Sequence, residues 1–414
     1  MANEGVATRR GGLLRTRDFR RLWLADALSQ VGSRIDFLAV PLLATTVLSA
    51  SVVEVSLLRT LATLPYLVLG LQVGAWCDRI RQRPVLVAAD LGRVVLIGSI
   101  PVAAVAQVLT LWHLFVVVLL AGVLGVFFDV AHQTYVPHLV ARADLPEANA
   151  RLQTNASVAA VAGPSLAGVV IQYLGYPGAM AADAASYLWS ALWLRRIETP
   201  DPTGERSGRS LHQEIAEGLK AVLGDAIIRA ITLHGTVSCL FQSMFMAISV
   251  VFLSRDLGLS PVAIGLLSTV SLTGALVASA VARPLERRVG AARALNAAAV
   301  VYGGSFLLYA FTTPGWGLAW YVAGGVGAGF GIILINVYAV SFRQAATPRR
   351  LLGRVNSVST TLIRGMAPLG SLAGGVLADV TNMRTTLYVV GVGLLLSTAI
   401  LLASPLRRLR DLPE

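Results

Sequence analysis

The chain has 414 residues, of which 55% are hydrophobic and 14% charged, and its mean hydropathy is +0.70. Soluble globular domains hold about 45–50% apolar and about 25% charged residues, so this composition excludes a soluble protein. The apolar runs are about 20 residues long, which suits membrane-spanning helices and is too long for the strands of a membrane barrel. The sequence therefore predicts an all-α integral membrane protein.

Apolar runs in chain order predict twelve transmembrane helices. Their bounds are 22–48, 52–76, 84–107, 112–134, 150–173, 177–195, 226–254, 260–282, 291–311, 315–340, 355–379 and 384–404. An even number of spans puts both termini on one side. Most of the 34 basic residues fall on that side, and the opposite loops hold only Arg255 and Arg384. Because cytoplasmic loops are enriched in Lys and Arg, we expect a multi-pass inner-membrane protein with both termini in the cytoplasm.

Several function classes are disfavoured by the residues that are missing. The net charge of +12 comes from arginines between apolar runs, so it indicates membrane topology and no nucleic-acid partner. The sequence holds no P-loop and no Ser/His/Asp set, and its five histidines make no metal-ligand spacing. We therefore predict a protein that is not an enzyme and binds no metal.

The domain organisation follows from the longest loop, which separates six spans from six. We predict a basic tail (1–21), a six-helix bundle (22–195), a linker with an amphipathic helix (196–225), a second six-helix bundle (226–404) and a short tail (405–414). A small residue followed by proline recurs in both halves, in "NASVAAVAGPSLAGVV" and "STTLIRGMAPLGSLAGG". This repeat indicates a duplicated, pseudo-symmetric six-helix unit.

The segment "GAWCDRIRQRP" carries the first family resemblance. It is similar to the G-x-x-x-D-R/K-x-G-R-R/K motif of the major facilitator superfamily, with Arg81 where the family often has Gly. The matching residues are Gly74, Asp78, Arg79 and Arg83. The resemblance implies the major facilitator fold of two six-helix bundles, with this motif acting as a gate.

Longer segments resemble one branch of that superfamily, the drug:proton antiporter-3 branch with its macrolide-efflux and enterobactin-exporter-like proteins. They are "FRRLWLADALSQVGSRIDFLAVPLLA", "FFDVAHQTYVPHLV" and "LLGRVNSVSTTLIRGMAPLGSLAGGVLAD". Gly163, Pro164 and Gly168 are similar to the branch's G-P-x-x-G-G antiporter motif, with Ala167 in place of one glycine. Packing is the first interpretation of these three residues, and the motif adds a barrier to proton leak.

Asp36 is the first candidate for chemistry. It lies about 14 residues from the inner end of its span, roughly 21 Å deep and near the bilayer midplane. An ionisable residue there costs about 2.5–3.5 kcal/mol on insertion scales. Asp36 could form a structural ion pair with Arg59 or Arg364, or it could be a protonatable site in a central cavity. Arg34 is a further candidate for the proton-coupling and substrate cavity. It lies about 200° round the helix from Asp36, so these two residues do not simply neutralise each other.

Other polar residues within spans are secondary candidates. Asp90 and Arg93 share a helix face at i, i+3, and with Asp129 they are expected to form a structural charge cluster that takes part in gating. Arg364 is either the partner of a carboxylate or an anchor for an anionic substrate. Asn336 is a candidate polar group of the central cavity.

The resemblance implies a secondary active transporter, an antiporter that exports amphipathic small molecules such as macrolide-type drugs by alternating access. Such a protein confers multidrug resistance, uses the proton gradient in place of a cofactor, and has its substrate, protons and membrane lipid as partners. We expect a monomer. Two alternatives remain open: a siderophore or metabolite exporter of the same fold, and a non-transporting membrane receptor or scaffold.

Overall fold

The computed structural model describes residues 13–77, 80–141, 144–199, 211–348, 351–407 and 409. The described part of the chain forms fourteen α-helices and no strand. They are α1 (Arg17–Thr46), α2 (Val52–Cys77), α3 (Gln82–Val105), α4 (Leu111–Leu139), α5 (Leu145–Arg195), α6 (Leu211–Gly224), α7 (Ala226–Val251), α8 (Pro261–Ser271), α9 (Thr273–Val289), α10 (Ala291–Ala310), α11 (Leu318–Ala346), α12 (Leu352–Arg364), α13 (Met366–Val380) and α14 (Met383–Leu402).

These helices make twelve membrane crossings, as the sequence predicts. Among the described residues, ten helical segments are long and apolar enough to cross a membrane. One of them is α5, whose 51 residues are divided at Gly175 into two crossings. The segment missing from the ten is α1, because Asp26, Arg34 and Asp36 lower its hydropathy. The predicted all-α fold is confirmed.

The break in α5 depends on Gly175, which has φ 69° and ψ 177°. Only glycine adopts this backbone conformation without a steric penalty from Cβ. Pro177 then begins the second leg, where its fixed φ suits the first turn of a helix. The turn between the fifth and sixth crossings is therefore almost free of loop residues.

Two crossings of the second half are interrupted near their middle. The eighth crossing consists of α8 and α9 and breaks at Leu272, and the eleventh consists of α12 and α13 and breaks at Gly365. Discontinuous helices are typical of binding sites in transporters, because the break frees backbone groups at membrane depth. Arg364 is the last residue before the second break.

The two six-helix halves meet along two pairs of helices, the first leg of α5 with α8 and α2 with α13. These are crossings 5 with 8 and 2 with 11, so the interface repeats the symmetry of the halves. We call the membrane side that carries the start of α1 and the end of α14 the terminal face, and the opposite side the far face. Gly168 lies against the carbonyl group of Pro261, and Gly265 against that of Pro164.

The helix α6 covers the segment predicted to be amphipathic. Val222 is buried with Ile228, Val355 and Val358, so α6 packs against α7 and α12. Glu217 on α6 forms an ion pair with Arg354 on α12. The helix between the halves is thus attached to the second half at the terminal face.

Candidate functional site

A cavity of about 270 Å³ lies between the two halves. Arg34 and Phe37 of α1, with Ala160 and Pro164 of α5, line it from the first half. The second half contributes five aromatic side chains: Phe245, Tyr302, Phe306, Tyr309 and Tyr321. The cavity thus has one charged wall and one aromatic wall.

The aromatic wall is a single packed cluster. Tyr302, Phe306 and Tyr309 are spaced at i, i+4 and i+7, which places them on one face of α10. The Phe245 ring centroid lies 4.4 Å from that of Tyr309, and Tyr309 lies 4.8 Å from Tyr321 in an edge-to-face arrangement. The buried hydroxyl of Tyr302 has no hydrogen-bond partner in the described residues. The wall is therefore pre-formed and offers ring surfaces with an unused hydroxyl group.

Arg34 is the one charged side chain among the described residues that line this cavity. Its methylene groups pack on Gly163: a Cβ at residue 163 would lie 2.5 Å from Cγ of Arg34. The first glycine of the antiporter-like motif thus provides the space in which the arginine side chain lies. The residue against which Gly163 packs is therefore Arg34.

Asp36 lies beside the central cavity, in a small cavity of about 40 Å³ that it lines together with Arg59 and Phe37. The Arg59 guanidinium stacks on the Phe37 ring, with Cζ 4.4 Å from the centroid. No ion pair within 4.0 Å joins Asp36 to a described basic residue, and the buried Oδ1 of Asp36 has no hydrogen-bond partner. Phe37 lines both cavities, together with Met246 and Val250 of α7, so the carboxylate and the larger space are neighbours.

Asp90 and Arg93 form the ion pair that their spacing predicts, with 2.8 Å between Oδ1 and the guanidinium. The Arg93 guanidinium lies between the Phe128 and Tyr187 rings, 4.4 and 4.5 Å from their centroids. Asp129, the third member of the expected cluster, forms no ion pair with Arg93 within 4.0 Å, but its negative charge still acts on the Arg93 guanidinium. It accepts a hydrogen bond of 2.8 Å from the hydroxyl of Tyr66.

A second opening of about 540 Å³ lies in the first half, nearer the terminal face. Its polar lining includes Asp26, Asp129 and His132. Asp26 is held in place by hydrogen bonds from Gln30 (3.2 Å) and Asn155 (2.9 Å). Polar side chains thus extend from the terminal face toward the depth of the Asp90–Arg93 ion pair.

Arg364 and Asn336 both have exposed side chains. No described carboxylate lies within 4.0 Å of Arg364, so neither Asp36 nor Asp129 is its partner in this structure. Asn336 lies one turn beyond Ile332, a cavity-lining residue, on the same face of α11. Asn336 itself does not line the 270 Å³ cavity, and its role as a cavity residue stays a prediction.

The sequence analysis missed Asp183, which lies in the second leg of α5 and is completely buried. Its Oδ1 is 3.4 Å from the hydroxyl of Ser186, and its Oδ2 has no partner. The sequence does contain a signal for Asp183, because an aspartate within the predicted span 177–195 is as unusual as Asp36 within the first span. Averaged hydropathy conceals it, because a single aspartate changes the mean of an apolar window very little.

Residues 12–412 match the model of a protein family described as transmembrane secretion effector. The chain belongs to this family. It is 27% identical over 383 residues to the "Multidrug efflux pump Tap" of Mycolicibacterium fortuitum, across 88% of this chain and 90% of the relative. These matches confirm the predicted membership of the major facilitator superfamily and its drug-efflux branch, whose members are transporters and not enzymes.

Solved structures show the same fold. The nucleoside transporter NupG (D323A mutant) superposes with a TM-score of 0.77 at 12% identity, over 93% of this chain and 99% of that one. A bacterial homologue of the iron transporter ferroportin superposes with 0.74 in its inward-facing state (17% identity, 95% and 99% covered). The outward-facing state of a ferroportin homologue gives 0.60 (18% identity, 93% and 98% covered).

Four residues of the family's loop motif were predicted to form a gate. Asp78 and Arg79 lie outside the described residues, and Gly74 is part of the last turns of α2. Arg83 donates hydrogen bonds to the carbonyl groups of Leu194 (3.2 Å) and Arg195. These contacts join α3 to the end of α5 within one half, and the gating role of the motif stays a prediction.

Proposed function

We propose that this transporter exports amphipathic small molecules by alternating access, and that protons entering through Asp36 drive the export. The observation that carries the proposal is the adjacency of two spaces. An aromatic cavity between the halves shares the Phe37 side chain with a small cavity that holds a carboxylate with no ion pair within 4.0 Å. The multidrug efflux relative, similar over most of its length, supports drugs as the substrate class.

The central cavity has the chemistry of a substrate site. Rings of a bound molecule can stack on Phe245, Tyr309 and Tyr321, in contacts each worth about 0.5–1.5 kcal/mol beyond area burial. Arg34 on the opposite wall favours a polar group that is neutral or negative over one that is positive. The preferred substrate is therefore an aromatic amphipathic compound whose polar end accepts hydrogen bonds or carries negative charge.

Phe37 provides the physical link between proton and substrate. Its side chain lines the central cavity, and its ring carries the Arg59 guanidinium, with Cζ 4.4 Å from the ring centroid. A proton on Asp36 removes the negative charge that attracts Arg59, so Arg59 and the ring beneath it can change position. Conversely, a substrate that moves Phe37 also moves Arg59, and so changes how readily Asp36 binds a proton. Coupling between two sites requires this reciprocity.

The contacts between the halves support a conformation that is closed at the far face and open toward the cytoplasm. Arg255 of the second half donates hydrogen bonds to the carbonyl groups of Thr45 (3.0 Å) and Ala50 (2.6 Å) in the first half. Deeper in the membrane, Ser165 and Thr269 share a hydrogen bond of 2.7 Å. The higher TM-score to an inward-facing than to an outward-facing ferroportin homologue is in line with this assignment.

Transport by reconstituted protein tests the proposal. Liposomes with an imposed pH gradient should accumulate an anionic aromatic dye against its concentration gradient, and Asp36→Asn should abolish this uphill movement while exchange of dye across the membrane continues. Asp379→Asn is the matched control, because Asp379 is exposed near the far-face end of α13. Uphill transport by Asp36→Asn at the wild-type rate would refute proton coupling through this residue.

A panel of compounds separates the alternatives. A siderophore or metabolite exporter would move only compounds of that class, still driven by the pH gradient. A receptor or scaffold would move no compound, with or without a gradient.

A further inference from the structure

Asp183 is a buried carboxyl group for which the proposed mechanism has no role. It lies in the second leg of α5 with none of its surface exposed. Gly32 of α1 faces it: a Cβ at residue 32 would lie 2.5 Å from Oδ1 of Asp183. The absence of a side chain at residue 32 therefore makes the space in which this carboxyl group lies, between two tightly packed helices.

The hydrogen bonds of Asp183 do not satisfy an ionised carboxylate. The Ser186 hydroxyl is 3.4 Å from Oδ1 and donates to the backbone carbonyl of Asp183 at the shorter distance of 2.7 Å. Oδ2 is buried and has no partner among the described residues. A buried carboxylate anion normally accepts several hydrogen bonds or pairs with a cation. A neutral carboxylic acid needs no cation and fewer hydrogen bonds, so the surroundings of Asp183 suit the neutral form.

The charges around Asp183 do not supply a free cation. The helices packed against this leg of α5 are α1 and α3, and the groups they present are Asp36 and the Asp90–Arg93 pair. Arg93 is already bound to Asp90 at 2.8 Å and lies between two aromatic rings. From α5 itself comes Tyr187, whose hydroxyl is 3.3 Å from that of Ser33. Asp36 adds a like charge, and two like charges in one site disfavour double ionisation.

We propose that Asp183 is a second proton-binding site, which holds its proton in this conformation and forms a linked pair with Asp36. Ionisation of one carboxyl group then disfavours ionisation of the other, so the pair exchanges protons in sequence. The proposal extends the proton coupling through Asp36 proposed above. A metal ion does not fit, because no group of three or more His, Cys, Asp or Glu side chains suited to a metal exists in the described residues.

The linked pair gives the proton a path that Asp36 alone does not. Asp36 lines the small cavity beside the central one, whereas Asp183 lines neither of these two cavities and lies beside Gly32, within the first half. A proton held at Asp183 is therefore out of contact with the substrate cavity. Movement of α1 against α5 would change the distance between the two carboxyl groups, and so would change which of them keeps the proton.

Infrared difference spectroscopy on the purified, substrate-free protein tests this directly. We expect the wild type to show the carbonyl band of a buried protonated carboxyl group, shifted in D₂O and lost at high pH. Asp183→Asn should lack this band, and Asp183→Glu should retain it at an altered frequency. In Asp36→Asn the Asp183 band should remain and should disappear at a lower pH, because the neighbouring negative charge has been removed. An unchanged band in Asp183→Asn would overturn the proposal.

Thermal unfolding provides the second measurement. Asn has nearly the shape of a protonated Asp, so Asp183→Asn should unfold within a few degrees of the wild type. A large loss of stability in Asp183→Asn, with the wild-type band absent, would show that Asp183 is an ionised structural residue and would refute the proposal. Both measurements are independent of transport. If Asp36→Asn still transports uphill, coupling through Asp36 fails, whereas a band that Asp183→Asn removes would still establish the proton at Asp183.

Discussion

Gly163 and Arg34 form a matched pair across α1 and α5, because the methylene groups of the arginine fill the space left by the glycine. A Cβ at residue 163 would lie 2.5 Å from Cγ and 2.7 Å from Cβ of Arg34. The same arginine lines the central cavity. Gly163, which the sequence analysis interprets first as a packing residue, thus also sets the position of the Arg34 charge in the proposed substrate site.

Gly163→Ala should therefore displace Arg34 and impair transport. Overpacking of this kind costs about 1–3 kcal/mol, which the protein can relieve by moving the flexible arginine. We expect a modest loss of thermal stability and a clear loss of dye export in reconstituted vesicles. Gly304→Ala is the control, since nothing lies within 4 Å of a Cβ at that position. If the two variants behave alike, the pairing of Gly163 with Arg34 is unimportant for transport.

Arg34→Gln should change which charge the transporter prefers. Removing the cation from the cavity leaves its size and its aromatic wall nearly intact. We expect export of the anionic dye calcein to fall about tenfold, corresponding to about 1.4 kcal/mol, and export of the cationic dye ethidium to hold steady or rise. Arg34→Lys, which keeps the charge, should remain close to the wild type. Equal losses for both dyes in Arg34→Gln would show that Arg34 does not select by charge.

Asp18 should make stability depend on pH at the terminal face, ahead of the first predicted span. It accepts hydrogen bonds from the backbone N–H of Thr199 (2.8 Å) and Glu198 (3.2 Å) and pairs with Arg21. Burial alone would raise the pKa of Asp18, but these hydrogen bonds outweigh it and leave the pKa below its usual value. A lowered folded-state pKa stabilises the protein above the unfolded-state pKa, and this gain is lost as pH falls through the folded-state value.

Asp18→Asn should therefore unfold at lower temperature than the wild type at pH 7, by an amount equivalent to about 1.5–3 kcal/mol. The difference should shrink toward zero as the pH falls below the usual range for aspartate. Glu147→Gln is the control, because its pair with Arg151 is about half exposed and worth less than about 1 kcal/mol. A difference that stays constant at every pH would exclude ionised Asp18 as its source.

The sequence predicted the parts of this structure that depend on hydropathy and local spacing. Long apolar runs must cross the bilayer as helices, so the twelve crossings follow from the positions of these runs along the chain. The Asp90–Arg93 pair follows from i, i+3 spacing on one helix. Asp129 bonds instead to Tyr66, because the choice of partner across helices depends on rotation and depth.

The candidate site was less predictable, because it is built from helices far apart in sequence. Tyr302, Phe306 and Tyr309 share one face of α10, but their spacing is the same whether that face meets lipid, core or a cavity. The 40 Å³ space beside Asp36 likewise depends on how α1 and α2 pack. Local patterns contain no information on either point.

Arg255→Ala should open the far face. The guanidinium donates hydrogen bonds to the carbonyl groups of Thr45 and Ala50, and so it joins the second half to the first at the far face. A hydrogen bond from a charged group is worth about 1.5–3 kcal/mol. Losing the contact should shift the population by about tenfold or more toward the state that is open at the far face, because this contact must break on each transport cycle.

Cysteine labelling measures this shift. Single cysteines placed on either side of the central cavity, in a background lacking Cys77 and Cys239, should label faster from the far face and more slowly from the terminal face in Arg255→Ala. Arg384→Ala is the matched control, since Arg384 is also a far-face arginine that donates to a carbonyl group, that of Thr312. Its contact lies within the second half and does not change when the halves separate. Equal labelling of the two variants would show that Arg255 does not hold the halves together.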